Sequence, residues 1–307
     1  MRIGFGAPVS GSWATPENQT EIARRAEELG YHSLWTFSRI LNPDGPPEQR
    51  LAPVYRSVHD PLIVSGFLAA VTTRVRLGIG VVNLPFYPPL VLAKALTSID
   101  IVSNGRLDAG LGLGWSPHEF AAAGADLARR GDRAEEFLAC LRAIWTEDPV
   151  EFSGEFYTVP RGWVEPKPVQ RPHPPILLGG TAPRALRRAG TIADGWISSS
   201  RVSGSEIPVA VATIREAAEA AGRKPDEVRI IVRGSLRLRE SDNADDPTMT
   251  GTAAKIKADL DRYAAAGTDE VFLDLNFDEQ IGAPDADPVR SMARAHEVLE
   301  TFTPTGG

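Results

Sequence analysis

The chain has 307 residues, 42% hydrophobic and 24% charged, which describes a soluble globule with a sizeable core. A net charge of −7 argues against generic nucleic-acid binding, and no apolar run approaches the roughly 20 residues that span a bilayer, so no membrane segment is expected. The lone Cys140 forbids an internal disulfide and the opening MRIGFG lacks a secretory leader pattern, so a cytoplasmic protein is expected.

Strand and helix signals alternate along the whole sequence. Arg2–Phe5 reads as a strand and Glu17–Leu29 as an amphipathic helix ended by Gly30. Ser33–Phe37 is a second strand, followed by a polar, proline-rich loop from Ser38 to Val58. Asp60 caps the helix PLIVSGFLAAVT, with Pro61 in its first turn. Val75–Val82 is a third strand and Leu90–Ser103 the next helix.

Then comes GRLDAGLGLGW, where Gly110, Gly112 and Gly114 alternate in a strand and leave one face bare. Bare strand faces mark close approach, either by a flat ligand or by tight barrel packing. Ser116 and Pro117 predict a capped helix start, and a long helix covers Arg133–Trp145 around the buried Cys140. Four further short strands follow at Ile176–Leu178, Gly195–Ile197, Val228–Leu236 and Glu270–Leu275. Helical runs at Pro183–Ala189, Ile207–Ala221, Ala253–Ala266 and Val289–Thr301 separate and follow them.

Eight strands alternating with helices predict a single-domain α/β fold over residues 1–307, a (β/α)8 TIM barrel. A doubly wound open sheet is the other architecture this order allows. Two insertion segments interrupt the alternation. Glu151–Pro175 reads as a hairpin with a proline-rich return, and the acidic Glu240–Gly251 reads as mobile.

In such barrels the site is built from loops at the carboxyl ends of the strands. After the third strand, Val81-Val82-Asn83-Leu84-Pro85 offers apolar surface with one amide. After the fifth, Gly179, Gly180 and Thr181 precede a helix, so free N–H groups and the helix dipole suit an anion. Arg184, Arg187 and Arg188 follow, either adding charge or forming a solvated face. Trp196 reads as core, His32 and His173 as structural, and His296 as solvated or core. His59 and His118 lie on loops at the expected active face and are candidate acids or bases. No motif suggests a metal or a hydrolase nucleophile.

The runs LGIGVVNLPFYPPLVLAK, SNGRLDAGLGLGWSPHEF, RGDRAEEFLACLRAIWTEDPVEFSGEFY and KPVQRPHPPILLGGTAPRALRRAG together resemble the luciferase-like monooxygenase superfamily, in particular its deazaflavin (F420)-dependent oxidoreductases. The resemblance implies a bacterial luciferase-like (β/α)8 barrel holding F420, or FMN as the alternative, at its carboxyl end. It implies a non-prolyl cis peptide at Gly80–Val81, with Val81 and Asn83 touching the ring and Ser38 beside it. Gly112, Gly114 and Trp115 would line the other side, and Gly179, Gly180 and Thr181 would hold the phosphate. Where many relatives carry an Asp-His pair after the second strand, this chain has Ser38 and Arg39, and Trp115 stands where some place a Glu. Arg39 is therefore a candidate for binding an anionic substrate or a reduced ring, or a plain surface residue.

The activity implied is hydride transfer to or from a small organic substrate. An FMN-dependent monooxygenase fed by a separate flavin reductase is the alternative, and a non-catalytic flavin-binding protein is the reading from another class. The apolar excess of PLIVSGFLAAV and LVLAKALTSIDIV predicts a homodimer.

Overall fold

The computed structural model describes residues 1–46 and 50–304. Residues 47–49, inside the loop from Ser38 to Val58, and 305–307 lie outside the described residues. Strands β1 (Arg2–Gly6), β2 (Ser33–Thr36), β3 (Arg76–Ile79), β4 (Val82–Asn83) and β5 (Leu107–Gly112) occupy the first part of the chain. Next come β6 (Val150–Ser153), β7 (Thr158–Gly162), β8 (Ile176–Gly179), β9 (Gly195–Ile197) and β10 (Arg229–Ser235). The last three are β11 (Arg237–Leu238), β12 (Thr250–Gly251) and β13 (Glu270–Asp274). Helices α1 (Pro16–Glu28), α2 (Pro61–Val71), α3 (Pro89–Val102), α4 (Pro117–Ala122) and α5 (Arg130–Thr146) alternate with the early strands. Then follow α6 (Pro183–Ile192), α7 (Ile207–Ala220), α8 (Ala253–Ala265), α9 (Glu279–Gly282) and α10 (Pro288–Thr301).

The large sheet runs β3-β2-β1-β13-β10-β9-β8-β5-β4, and an added β3–β5 pairing closes it. All pairs in it are parallel, so this is a closed barrel of eight strands and not an open sheet, with β4 continuing β3 beyond Gly80–Val81. That peptide is cis, as the resemblance implies. Parallel neighbours need a crossover, and the amphipathic helices supply it. Side-chain caps set several helix starts: Thr15 accepts from Asn18 N, Asp60 from Leu62 N and Ile63 N, and Asp287 from Val289 N and Arg290 N. Ser116 makes no such bond, and α4 is a short helix separated from α5, which starts three residues ahead of the expected Arg133.

Both insertions are ordered by identifiable contacts. β6 and β7 form the expected antiparallel hairpin. The acidic segment, expected to be mobile, is anchored instead. β11 pairs with β12, and Asp242 accepts from Thr252 N at 2.6 Å and Thr252 Oγ1 at 3.0 Å. Its carboxylates bind backbone and hydroxyl donors, an ordering force that apolar content does not reveal. Among the described residues, no helix is long and apolar enough to cross a membrane.

Side chains fill the barrel in layers. The amino-terminal floor is ionic: Asp108 accepts from Arg76 Nε and Nη2, both at 2.8 Å, and from Arg229 Nη1 at 2.7 Å. Burial opposes ionisation of Asp108, yet the two guanidinium partners hold its carboxyl below the usual range. Glu270 accepts from Trp35 Nε1 at 2.8 Å and from Ser33 Oγ, and burial pushes its carboxyl up. Beside it, burial pulls the His32 imidazole down to about 4. Above this floor lies an apolar layer of Trp35, Leu177, Ile197, Ile231 and Phe272. The Trp35 and Phe272 rings stack at 4.8 Å, and Gly78 is bare because the Trp35 ring fills its side-chain position.

Candidate functional site

At the carboxyl ends of the strands, loops converge on a mouth lined by cations, aromatic rings and unpaired amides. Val81 is its central apolar contact. It packs on the lumen layer, and side chains placed on Gly112 or Gly179 would meet its methyl groups at 2.5 and 3.3 Å. The bare glycine face thus admits the chain itself. Gly110 leaves room for the Ile79 carbonyl, and Gly112 leaves room for Val81 and for Asn83 Oδ1, 2.9 Å from the missing Cβ. Tight packing within the barrel thus occupies the bare face at this pair. Gly114 has a positive φ of 71° and abuts Phe120, so it turns the chain into the following loop.

On the neighbouring rim, Gly179 and Gly180 lead into α6, with Thr181 exposed and Ala182 as the residue before the helix. The amides of Gly180, Thr181 and Ala182 have no acceptor among the described residues, and Ala182 O takes the first helical bonds from Ala185 N and Leu186 N. Trp196 Nε1 fixes the Gly180 carbonyl at 2.8 Å from inside the core. Amide donors of this kind beside a helix N-terminus are the chemistry that suits an anion. Arg188 is engaged by Glu135 at 2.9 Å, and Arg184 and Arg187 are exposed on the same helix.

Arg39 is no surface residue. Its side chain is 7% exposed, and its Nη1 lies 2.6 Å from Oε2 of Glu119, which is 1% exposed. Glu119 Oε1 also accepts from Ile40 N at 2.9 Å and Leu41 N at 3.4 Å, tying the loop after β2 to α4. The Arg39 guanidinium lies 4.7 Å from the Tyr55 ring centroid and 5.0 Å from that of Trp115, and Arg201 lies 5.1 Å from the latter. Trp115 is therefore a half-exposed platform for two cations across the mouth. Ser38, half-buried, makes no side-chain hydrogen bond among the described residues. The two candidate histidines stand apart. His118 is exposed on α4, next to the buried Glu119. His59 is exposed and, among the described residues, its side chain meets Gln19 Nε2 alone, at 3.3 Å, with no carboxylate to orient it as a base. His173 stacks on Trp145, His296 meets Glu21 at 2.6 Å, and Cys140 is buried, all as read from the sequence.

Sequence reasoning missed Glu119 and Arg233. Arg233 sits in the middle of β10, with its Nη2 donating to the Gly80 carbonyl and its Nε 3.6 Å from Asp274 Oδ2. Phe37, Phe272 and Phe277 surround the guanidinium with ring centroids 5.4, 5.4 and 5.2 Å from Cζ. Burial raises the Asp274 carboxyl, against the pull of Arg233 and of the Asn276 hydrogen bonds. A signal existed: an arginine inside the apolar strand RIIVRGS is out of place unless it does something. Glu119 carried no such signal, because a Glu in the first turn of a helix is ordinary.

The comparisons agree with this architecture. A family profile described as luciferase-like monooxygenase matches residues 3–296. An FMNH2-dependent dimethylsulfone monooxygenase of Pseudomonas putida is 30% identical over 234 residues, 75% of this chain and 60% of that protein. An F420-dependent glucose-6-phosphate dehydrogenase of Amycolatopsis mediterranei is 29% identical over 238 residues, 74% of this chain and 66% of that protein. Matches to uncharacterized mycobacterial proteins at 35% identity span 59% of those relatives' length. Among solved structures, the monooxygenase RslO1 from Streptomyces bottropensis superimposes with a TM-score of 0.78 at 24% identity, covering 98% of each chain.

Proposed function

The chain belongs to the luciferase-like monooxygenase family, and from that premise we propose that it is an F420-dependent oxidoreductase acting on a small organic substrate. The observation that supports it is the convergence of Val81, wedged between Gly112 and Gly179, with the free amides of Gly180–Ala182 on one rim. An apolar wall beside an anion cradle fits a planar ring that carries a phosphate. Val81 and Asn83 are the ring contacts in this reading, and Gly180, Thr181 and Ala182 hold the phosphate. A bound deazaflavin supplies two-electron hydride chemistry. The protein's own residues bind and orient: the aromatic cluster of Phe37, Tyr55 and Phe277 excludes water, and Arg39 and Arg201 over Trp115 bound the entrance.

The FMN-dependent monooxygenase reading rests on the Pseudomonas putida relative, which matches as well as the F420-dependent one. Fluorescence-quench titration with F420 and FMN separates them. F420 is expected to bind at least tenfold tighter; the reverse order selects the FMN reading, and no binding of either removes both. The same proposal includes a homodimer. Ile63 on α2 is 75% exposed and Val91 and Val102 on α3 are 58% and 60% exposed, an apolar face that a second copy would cover. Light scattering at micromolar concentration is expected to give twice the chain mass, and a monomer mass removes the dimer.

A further inference from the structure

Alternate residues of β10 climb the barrel lumen in a sequence of different environments. Arg229 joins the ionic floor, Ile231 the apolar layer, and Arg233 emerges at the base of the mouth. Arg229 has both of its Nη atoms engaged, by Asp108 and Glu270. Arg233 does not. Only Nη2 has an acceptor, the Gly80 carbonyl; Nε is buried without a partner, and Nη1 makes no hydrogen bond among the described residues. Its counter-ion is also poorly matched. Asp274 Oδ1 is taken by Asn276 N at 3.1 Å and Asn276 Nδ2 at 2.8 Å, and Oδ2 stays 3.6 Å from Nε, beyond good hydrogen-bond geometry. Aromatic rings lie on three sides of the guanidinium, and its Nε is buried. A side chain needed only to hold the Gly80 carbonyl has no use for a charge, whose burial is costly.

We propose that Arg233 is a ligand-facing cation whose unused Nη1 edge binds an anionic or strongly polarised oxygen at the base of the mouth. Two sources supply that chemistry: the oxygens of a reduced, negatively charged flavin-type ring, or the carboxylate or carbonyl oxygen of a substrate. The cofactor source rests on the function proposed above; the anion site itself does not.

The test uses the full chain with Arg233→Lys, which keeps the charge, and Arg233→Met, which removes it at similar volume. Arg233→Met/Asp274→Asn removes both charges of the pair together, so a folded neutral variant is available if the single one fails to fold. Three readouts are taken: affinity for oxidised cofactor, affinity for the reduced form under anaerobic conditions, and the rise in melting temperature with benzoate, a planar anionic probe. If the oxygen belongs to the cofactor, the Met variants bind the oxidised form within about threefold of wild type and the reduced form at least thirtyfold more weakly, with Lys between. If it belongs to the substrate, both redox forms bind alike in all variants, while benzoate stabilises wild type and Arg233→Lys and leaves the Met variants unmoved. Failure of the wild type to bind either cofactor sinks the cofactor reading and leaves benzoate to decide Arg233. Equal weakening of both redox forms without a benzoate effect, or no difference between wild type and the Met variants in any readout, makes Arg233 a structural residue and overturns the proposal.

Discussion

The two ends of the barrel carry similar residue types and use them in opposite ways. At the floor, Asp108 meets Arg76 and Arg229, and Glu270 meets Arg229, Ser33 and Trp35, so charges answer one another. At the mouth, Arg39 and Arg233 each bury an Nε without an acceptor, and three amides ahead of α6 are free. Saturated charge makes the floor a structural plug. In the proposed reading, a ligand at the mouth completes the hydrogen bonding of these unsaturated donors, since a buried polar group without a partner is costly.

Substitutions that move only one end sharpen that contrast. The largest effect is expected at the floor. Asp108→Asn leaves the partly buried Arg76 without its charge partner and Arg229 with Glu270 alone, and is expected to lower stability by about 3–5 kcal/mol in urea denaturation. Cofactor affinity of the folded fraction should not change; a weakened affinity would mean that the floor and mouth are not independent. Gly112→Val comes next. The new side chain displaces Val81 and Asn83, so stability is expected to drop by about 1–3 kcal/mol, and cofactor affinity to fall more than tenfold in the same titration. Unchanged affinity would remove Val81 and Asn83 from the ring wall. Glu119→Gln is the mildest. It weakens the charge-assisted bond to Arg39 and is expected to cost about 1.5 kcal/mol while releasing the loop after β2, read as faster tryptic cleavage at Arg39. A cleavage rate equal to wild type would mean that Glu119 does not hold the loop.

Much of this was legible in the chain. Periodicity located all eight barrel strands, because each is a short apolar run between turn residues, and Gly179-Gly180 ahead of Pro183 marked the start of the following helix. The break inside the third strand was invisible to periodicity, since LGIGVV reads as one continuous run, and it came from the family resemblance alone. The alternating glycines were noticed for a good reason, but a bare face says that something approaches and not what approaches, and here the neighbours are Ile79, Val81, Asn83 and Phe120. Glu119 and Arg39 were unreadable as a pair. Eighty residues separate them, and only barrel closure brings the loop after β2 onto the helix after β5.

The central claim is that the mouth, unlike the floor, keeps its donors for a phosphorylated ring. The most direct measurement compares dissociation constants for FMN and riboflavin, and for F420 and its dephosphorylated deazaflavin, in wild type and Thr181→Ala. Charge-assisted hydrogen bonds are worth about 1.5–3 kcal/mol each, so the wild type is expected to prefer the phosphorylated partner by at least tenfold. Thr181→Ala keeps the backbone amides but removes the side-chain hydroxyl, a further donor in this account, and should shrink that preference while leaving the dephosphorylated ligands unaffected. Equal affinity for phosphorylated and dephosphorylated ligands in the wild type would contradict the account.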